Sequence, residues 1–195
     1  MTAANPYQLF AQIFQQAADA GIVEPNAMAL ATADADGRPS VRMVLLKGFD
    51  EEGFVFYTNL ESRKAREITA NPHAALCFYW QPIGRQVRVE GRVEPVTDAE
   101  ADDYFASRAR GSQIGAWSSE QSRTLDSREE LLSRVRANEE RFADAIPPRP
   151  PFWSGFRIVP HRIEFWTAGE FRLHDRLVFE RQGEGGDWST RTLYP

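Results

Sequence analysis

The stretch AMALATADADGRPSVRMVLLKGFDEEGFVFYTN, residues 27–59, decides the fold class. Two apolar runs of strand length are joined by ADGRP, and a third, FVFYTN, follows the turn DEEG. Strands that follow one another through turns this short make an antiparallel meander. Upstream, Asn5-Pro6 has the form of a helix cap with proline at the first turn. Leu9, Phe10, Ile13, Phe14 and Ala17 then recur with helical spacing until Gly21, so residues 1–24 are expected to supply an amphipathic helix that packs on the sheet.

Downstream, SRKAREITANP reads as a short helix ended at Asn71-Pro72, and HAALCFYW and RQVRVEGRVEPV as two strands around QPIG. Thr97 with Glu100, and Ser127 with Glu130, match capping boxes that open helices running towards Arg108 and Phe142. IPPRPP is expected to cross the surface in an extended form. FRIVPHRIEFW, EFRLHDRLVFER and WSTRTLYP form a closing set of strands, with QGEGGD as a loop. Strands outnumber helices and follow one another directly. The expectation is therefore a mainly β chain, an antiparallel barrel flanked by helices and not a doubly wound sheet. With no linker rich in glycine and serine, residues 1–195 are read as one domain.

Composition narrows the function. A net charge of −5 lacks the global basic footprint of a nucleic-acid binder, so any anion site must be local. The single cysteine, Cys77, lies in the apolar run AALCFYW, where a buried inert thiol is expected; no intrachain disulfide can form, which fits a reducing cytosol. The N-terminus lacks a basic region followed by an apolar core, and no segment approaches the length of a membrane span. The chain is expected to be soluble, cytoplasmic and free of membrane or nucleic-acid partners.

Cations collect at the ends of the predicted strands and helices. Arg42 and Lys47 bracket RMVLLK, Arg63 and Lys64 open a helix, Arg85 and Arg88 flank Gln86, and Arg108 and Arg110 close another helix. Arginine suits bidentate contact with phosphate and lysine acts as a point charge, so the set could hold one or two phosphorylated ligands. A helix N-terminus beneath Arg63 and Lys64 also favours an anion. Taken singly, each cation reads better as a solvated surface charge. Arg42 and Lys47 are five apart and point to opposite faces of a regular strand; they serve one site only if the strand bulges or its ends curl around the ligand.

A second row lies in EFRLHDR, residues 170–176. On a strand, Arg172, His174 and Arg176 share a face and Leu173 points to the other. The plain alternative is the wet side of a half-buried sheet. Other constellations fail. Neither G-x-x-x-x-G-K-[ST] nor G-x-G-x-x-G occurs, His73, His161 and His174 have no metal-ligand spacing, and GAWSSEQS offers serines with no histidine nearby in sequence.

Taken together, RMVLLK, FVFYTNLESRKA, RQVRVEG, YFASRARGSQIGAWSSEQS, PPFWSGFR, IEFW, RLHDR and the terminal LYP resemble one family closely: the flavin-dependent pyridoxamine/pyridoxine 5′-phosphate oxidases. The resemblance covers nearly the whole chain from about Pro25. It implies a split β-barrel homodimer with FMN at the subunit interface. It implies an FMN site drawn from Arg42, Met43, Val44, Leu45, Leu46 and Lys47, then Tyr57, Thr58, Arg63, Lys64, Gln86, Gln121, Ser122, Trp166 and Arg176. The types suit the cofactor: cations for its phosphate, Gln86 for the polar edge of the isoalloxazine, Trp166 as an apolar wall.

The resemblance further implies that Lys47, Tyr104, Arg108 and Ser112 grip the substrate phosphate, with Arg172, Leu173 and His174 in the segment at the pyridine ring and Arg172 and His174 as the catalytic candidates. The implied reaction is oxidation of pyridoxamine or pyridoxine 5′-phosphate to the aldehyde, with dioxygen as acceptor and hydrogen peroxide as product. His174 is a candidate for proton handling or for an orienting hydrogen bond. Two departures stand out. Relatives commonly carry a longer N-terminal extension that closes over substrate, whereas only MTAAN precedes the helix here. Ala109 and Gly111 replace an expected proline and aspartate, which implies a more mobile loop beside Ser112. Two rivals share these motifs: a related FMN oxidase of a phenazine precursor, and a non-catalytic carrier of FMN or pyridoxal phosphate. RLHDR with Tyr104, Arg108 and Ser112 favours the vitamin B6 phosphate.

Overall fold

Asn5 caps the first helix by accepting the backbone N–H of Tyr7 at 2.9 Å, and Pro6 fills the first helical position, where no N–H partner is needed. The computed structural model describes residues 5–183 and 185–195, so most of the MTAAN segment lies outside the described residues. The opening helix α1, Pro6–Asp19, buries Tyr7, Phe10, Ile13 and Ala17 against the sheet. Phe10 is fully buried and meets Phe49, Phe54 and Phe78 edge-on at 4.8–5.1 Å, the arrangement that aromatic quadrupoles prefer.

The meander forms as β1 (Ala27–Ala33), β2 (Pro39–Leu45), the short β3 (Gly48–Asp50) and β4 (Gly53–Asn59). Helix α2 (Arg63–Ala70) leads into β5 (His73–Trp80) and β6 (Arg85–Pro95). Helices α3 (Asp98–Ser107), α4 (Arg110–Ser118) and α5 (Arg128–Arg141) precede β7 (Trp153–Thr167), β8 (Asp175–Glu180) and β9 (Ser189–Thr192). The strands pair antiparallel in the order β2-β1-β5-β6-β7-β4-β3, with β8 on β7 and β9 on β8. This is a mainly β split barrel flanked by helices. Among the described residues no helix is long and apolar enough to cross a membrane.

Strand β7 organises the barrel because it has three partners. Along one edge it pairs with β6; along the other its first half pairs with β4 and its second half with β8. The register with β6 shifts between Glu90 and Gly91, opposite Pro160. Proline cannot donate to a ladder and is tolerated at such a bulge, which also bends the strand where it changes partners.

Three expectations change. Residues 170–176 are not a continuous strand: Thr167 pairs with Asp175, so the chain must turn back between them. It does so through a single 3₁₀ turn at Glu170–Arg172, with Phe171 and Arg172 at φ 54° and 65°, and strand geometry begins only at Asp175. The alternation of Arg172, His174 and Arg176 on one strand face therefore does not hold. Second, the segment around Ser112 is not a loop but the start of α4, a helix that packs on α5, where the Asn138 side chain donates to Ser118 Oγ at 3.2 Å. Its two glycines and polar composition hide that helix from propensity. Third, the Leu46 side chain is buried in the core, 5% exposed.

Gly155 positions aromatic rings. It pairs with Tyr57 across β7 and β4, and a Cβ added there would stand 2.6 Å from the Tyr57 ring. The missing side chain lets Tyr57 lie flat over the backbone between Trp153 and Tyr104. Gly155→Ala is thus expected to destabilise the protein by about 1–3 kcal/mol through overpacking, read from urea unfolding midpoints. An unchanged midpoint would show that Tyr57 has room to move.

Candidate active site

A cleft of about 1030 Å³ opens between β2, β4, the first turn of α2, and helices α3 and α4. Of the residues expected at a ligand site, Arg42, Met43, Val44, Leu45, Lys47, Tyr57, Thr58, Arg63, Lys64, Tyr104, Arg108, Ser112, Gln121 and Ser122 line it. Its wall carries five cationic side chains, Arg42, Lys47, Arg63, Lys64 and Arg108, and, among the described residues, no carboxylate. In a chain of net charge −5, that separation of sign makes the cleft a local anion site.

The spacing of Arg42 and Lys47 is explained by a change of partner. Strand β2 leaves β1 after the Leu45–Ala27 pair, the Leu46 N–H goes to the Asn26 carbonyl at 2.8 Å, and the Lys47 N–H goes to the Val55 carbonyl of β4 at 2.9 Å. The chain curls across the end of the cleft. Leu46 turns into the core while both cations face the cavity.

Lys64 is 7% exposed, and its ammonium donates to Gln121 Oε1 at 2.8 Å, Thr58 Oγ1 at 3.0 Å and Ser62 Oγ at 3.3 Å. No carboxylate is among these partners. Burial, reinforced by repulsion from Arg42, lowers the Lys64 pKa to about 8. Arg42 and Arg63 instead share a buried carboxylate, Glu67, behind the cleft wall.

Across the cleft, Tyr104, Tyr57 and Trp153 form a stack, with centroids 4.0 Å apart for the tyrosine pair and 5.4 Å for Tyr57 and Trp153. Arg108 lies over the Trp153 ring at 4.8 Å, and Lys47 stands 5.9 Å from the Tyr104 ring. The Arg108 Nη1 is buried without a hydrogen-bond partner among the described residues, and burial lowers the Arg108 pKa. A buried donor left unpaired is costly, so this one is suited to an incoming anion.

The remaining expected residues lie elsewhere. Gln86, Trp166 and Arg176 face one another in register across β6, β7 and β8, on the outer face of the sheet. The His174 ring is 4.5 Å from that of Trp166, and its Nδ1 accepts the Gly169 N–H at 3.1 Å. Arg172 and Leu173 are exposed in the preceding turn. Arg176 grips Glu164 with Nε at 2.8 Å and Nη2 at 3.1 Å, and Arg88 and Arg162 approach the same carboxylate. Burial raises the Glu164 pKa, but the Arg176 hydrogen bonds and the surrounding arginines outweigh it, and the net shift is downward.

None of these six residues lines the cleft of its own chain. The sequence reading also missed Trp153, Glu67 and Glu164. Glu67 had a legible signal, standing four residues after Arg63 at helical ion-pair spacing; Trp153 and Glu164 take their roles from register alone.

Residues 14–142 match the pyridoxamine 5′-phosphate oxidase family, and residues 153–195 match the pyridoxine 5′-phosphate oxidase C-terminal dimerisation region. A pyridoxine/pyridoxamine 5′-phosphate oxidase of Myxococcus xanthus (strain DK1622) is 64% identical over 191 residues, covering 98% of this chain and 92% of its own. One of Gluconobacter oxydans (strain 621H) is 56% identical, covering 98% and 95%. Among solved structures, PhzG from Burkholderia lata 383, in complex with tetrahydrophenazine-1-carboxylic acid, superposes with a TM-score of 0.93 at 36% identity, covering 100% of this chain and 94% of that one. A pyridoxamine 5′-phosphate oxidase-related, FMN binding protein from Nostoc punctiforme PCC 73102 shares the fold, with a TM-score of 0.79 at 17% identity and 100% of both chains covered.

The Lys64 environment has a pH consequence. With a lowered pKa, the ligand-free ammonium begins to lose its proton as pH rises through about 8, whereas a bound anion holds that proton in place. Affinity for a phosphate monoester is therefore expected to be highest below about pH 8 and to fall above it, by at most about tenfold per pH unit. Titrations between about pH 7 and about pH 9 check this. Lys64→Met should remove the decline, and an identical slope in that variant would assign it to another group.

Proposed function

Because this chain belongs to the pyridoxamine 5′-phosphate oxidase family, we propose that it binds FMN and converts pyridoxamine or pyridoxine 5′-phosphate to pyridoxal 5′-phosphate with dioxygen as acceptor. The alcohol and dioxygen give the aldehyde and hydrogen peroxide; the amine requires water in addition and also releases ammonia. The observation that carries this reading is the cleft itself, with five cations, no carboxylate among the described residues and a volume of about 1030 Å³, room for two phosphorylated ligands. The unpaired Arg108 Nη1 supports the fit.

FMN, when bound, supplies the hydride-accepting chemistry. The chain supplies binding and orientation. Arg42, Arg63 and Lys64 hold the cofactor phosphate, while Lys47, Tyr104, Arg108 and Ser112 hold the substrate phosphate. The stack of Tyr57 on Trp153 fixes Tyr104 and Arg108 on the substrate side. The row of Gln86, Trp166 and Arg176, with His174 and Arg172, serves the cleft of a second copy, so that a homodimer builds each site from both chains. Two features support this division: the C-terminal match is to a dimerisation region, and Val41, Met43 and Tyr79 lie more than half exposed on the same sheet face as the row. The neutral His174 carries its proton on Nε2, because Nδ1 accepts the Gly169 N–H. That leaves Nε2 as a donor towards the substrate.

The likeness to the Burkholderia lata protein favours a second reading, oxidation of a tetrahydrophenazine carboxylic acid. One set of assays separates the two. The purified protein is expected to release FMN on denaturation, identified by mass, and to form one hydrogen peroxide per pyridoxal 5′-phosphate from pyridoxine 5′-phosphate. Arg108→Ala should retain flavin and lower kcat/KM by about 10- to 150-fold, the value of a charge-assisted hydrogen bond. Peroxide from the tetrahydrophenazine acid alone would favour the second reading, and flavin binding without turnover would indicate a carrier.

A further inference from the structure

We infer that Glu67 is a positioning residue for the cofactor phosphate, setting Arg42 and Arg63 so that both meet one anion; the inference rests on the reading of the cleft as an FMN site. Glu67 lies one helical turn after Arg63 in α2, is 6% exposed and is absent from the cleft lining, so it does not itself meet a ligand in the cleft. Its Oε1 accepts from Arg63 Nε at 2.8 Å. Its Oε2 accepts from Thr32 Oγ1 and Ser40 Oγ, each at 2.5 Å, and from Arg42 Nη2 at 3.3 Å. One carboxylate thus ties α2 and β2, which flank this end of the cleft, to β1.

The donors left over have a pattern. Arg63 commits only Nε, so both of its terminal nitrogens are without a partner among the described residues. Arg42 commits both terminal nitrogens inward, to Glu67, Ser40, Thr32 and the Leu30 carbonyl, and keeps Nε. Both residues line the cavity, so these uncommitted N–H groups are what the two side chains have left for an anion there.

Charge counting points the same way. Arg42, Arg63 and Lys64 bring three cations together, and Glu67 offsets one. The two positive charges that remain match a phosphate monoester, which carries close to −2 at neutral pH. Glu67 stays ionised for this: burial would raise its pKa, but hydrogen bonds from Ser40, Thr32 and Arg63, with the charge of Arg63, hold it at about 2. Without the carboxylate the repulsion among the three cations would lose its offset, and Arg42 and Arg63 would lose the one group they share.

FMN and riboflavin share a ring and side chain and differ in the phosphate, so their affinities for the apoprotein isolate the effect. Wild type is expected to prefer FMN. In Glu67→Ala the FMN Kd should rise by about 10- to 100-fold, the range seen when an outer partner of a metal ligand is removed, while the riboflavin Kd stays within about twofold. In Glu67→Gln the amide oxygen can keep Arg63 and the amide NH₂ can donate to Ser40 and Thr32, so the main loss is the contact of Arg42 with residue 67, and a smaller FMN-selective loss is expected. Equal losses for both flavins, or none for either, would overturn the inference. So would failure of both variants to fold, since that would place Glu67 in the core's stability. A wild-type protein indifferent to the phosphate would instead sink the cofactor reading on which the inference stands.

Discussion

Mutual repulsion among cations facing one cleft is the constraint on which the rest of this structure depends. Five such charges in one lining cost free energy until an anion arrives, and the fold offsets that cost differently at each position. Arg42 and Arg63 share Glu67. Lys64, buried and hydrogen-bonded to neutral oxygens, gives up part of its hold on its proton. Arg108 lies on the face of Trp153 and leaves one nitrogen unpaired. The cleft is preorganised for anions because its cations are held in place, Arg42 and Arg63 by a carboxylate behind the wall and Lys64 and Arg108 by neutral groups of the lining.

The same logic extends to the outer sheet face. Glu164, 2% exposed, holds Arg176 in a bidentate grip within a row that β7 keeps in register with β6 and β8. Strand β7 can do this because the bulge opposite Pro160 lets its first half join β4 at the cleft and its second half join β8 at the row. One strand therefore connects both halves of the proposed site, and a homodimer would bring the row of one chain to the cleft of the other.

Much of this was legible in the sequence. The apolar runs joined by short turns in residues 27–59, the Asn5-Pro6 cap and the capping box at Thr97 and Glu100 specify local geometry through local chemistry, and the strands and helices they imply are present. The cleft residues were legible through the family resemblance. What failed depended on distant pairing. A strand through residues 170–176 is reasonable until Thr167 is known to pair with Asp175, which forces a turn between them. The opposed faces of Arg42 and Lys47 are reconciled only by the handover from β1 to β4. Trp153 and Glu164 look like ordinary strand residues until register sets them beside Tyr57 and Arg176.

The central claim is that each site takes its cations from one chain and its sheet row from another. Subunit complementation tests it most directly. One variant carries Lys64→Met and Arg108→Ala in the cleft; a second carries His174→Ala and Arg176→Ala in the row. Each homodimer should be nearly inactive. Random pairing after co-expression should restore about a quarter of wild-type activity, because each mixed dimer has one cleft and one row intact for the same site. Mixed dimers that form but stay as inactive as their parents would contradict the division of the site between two chains.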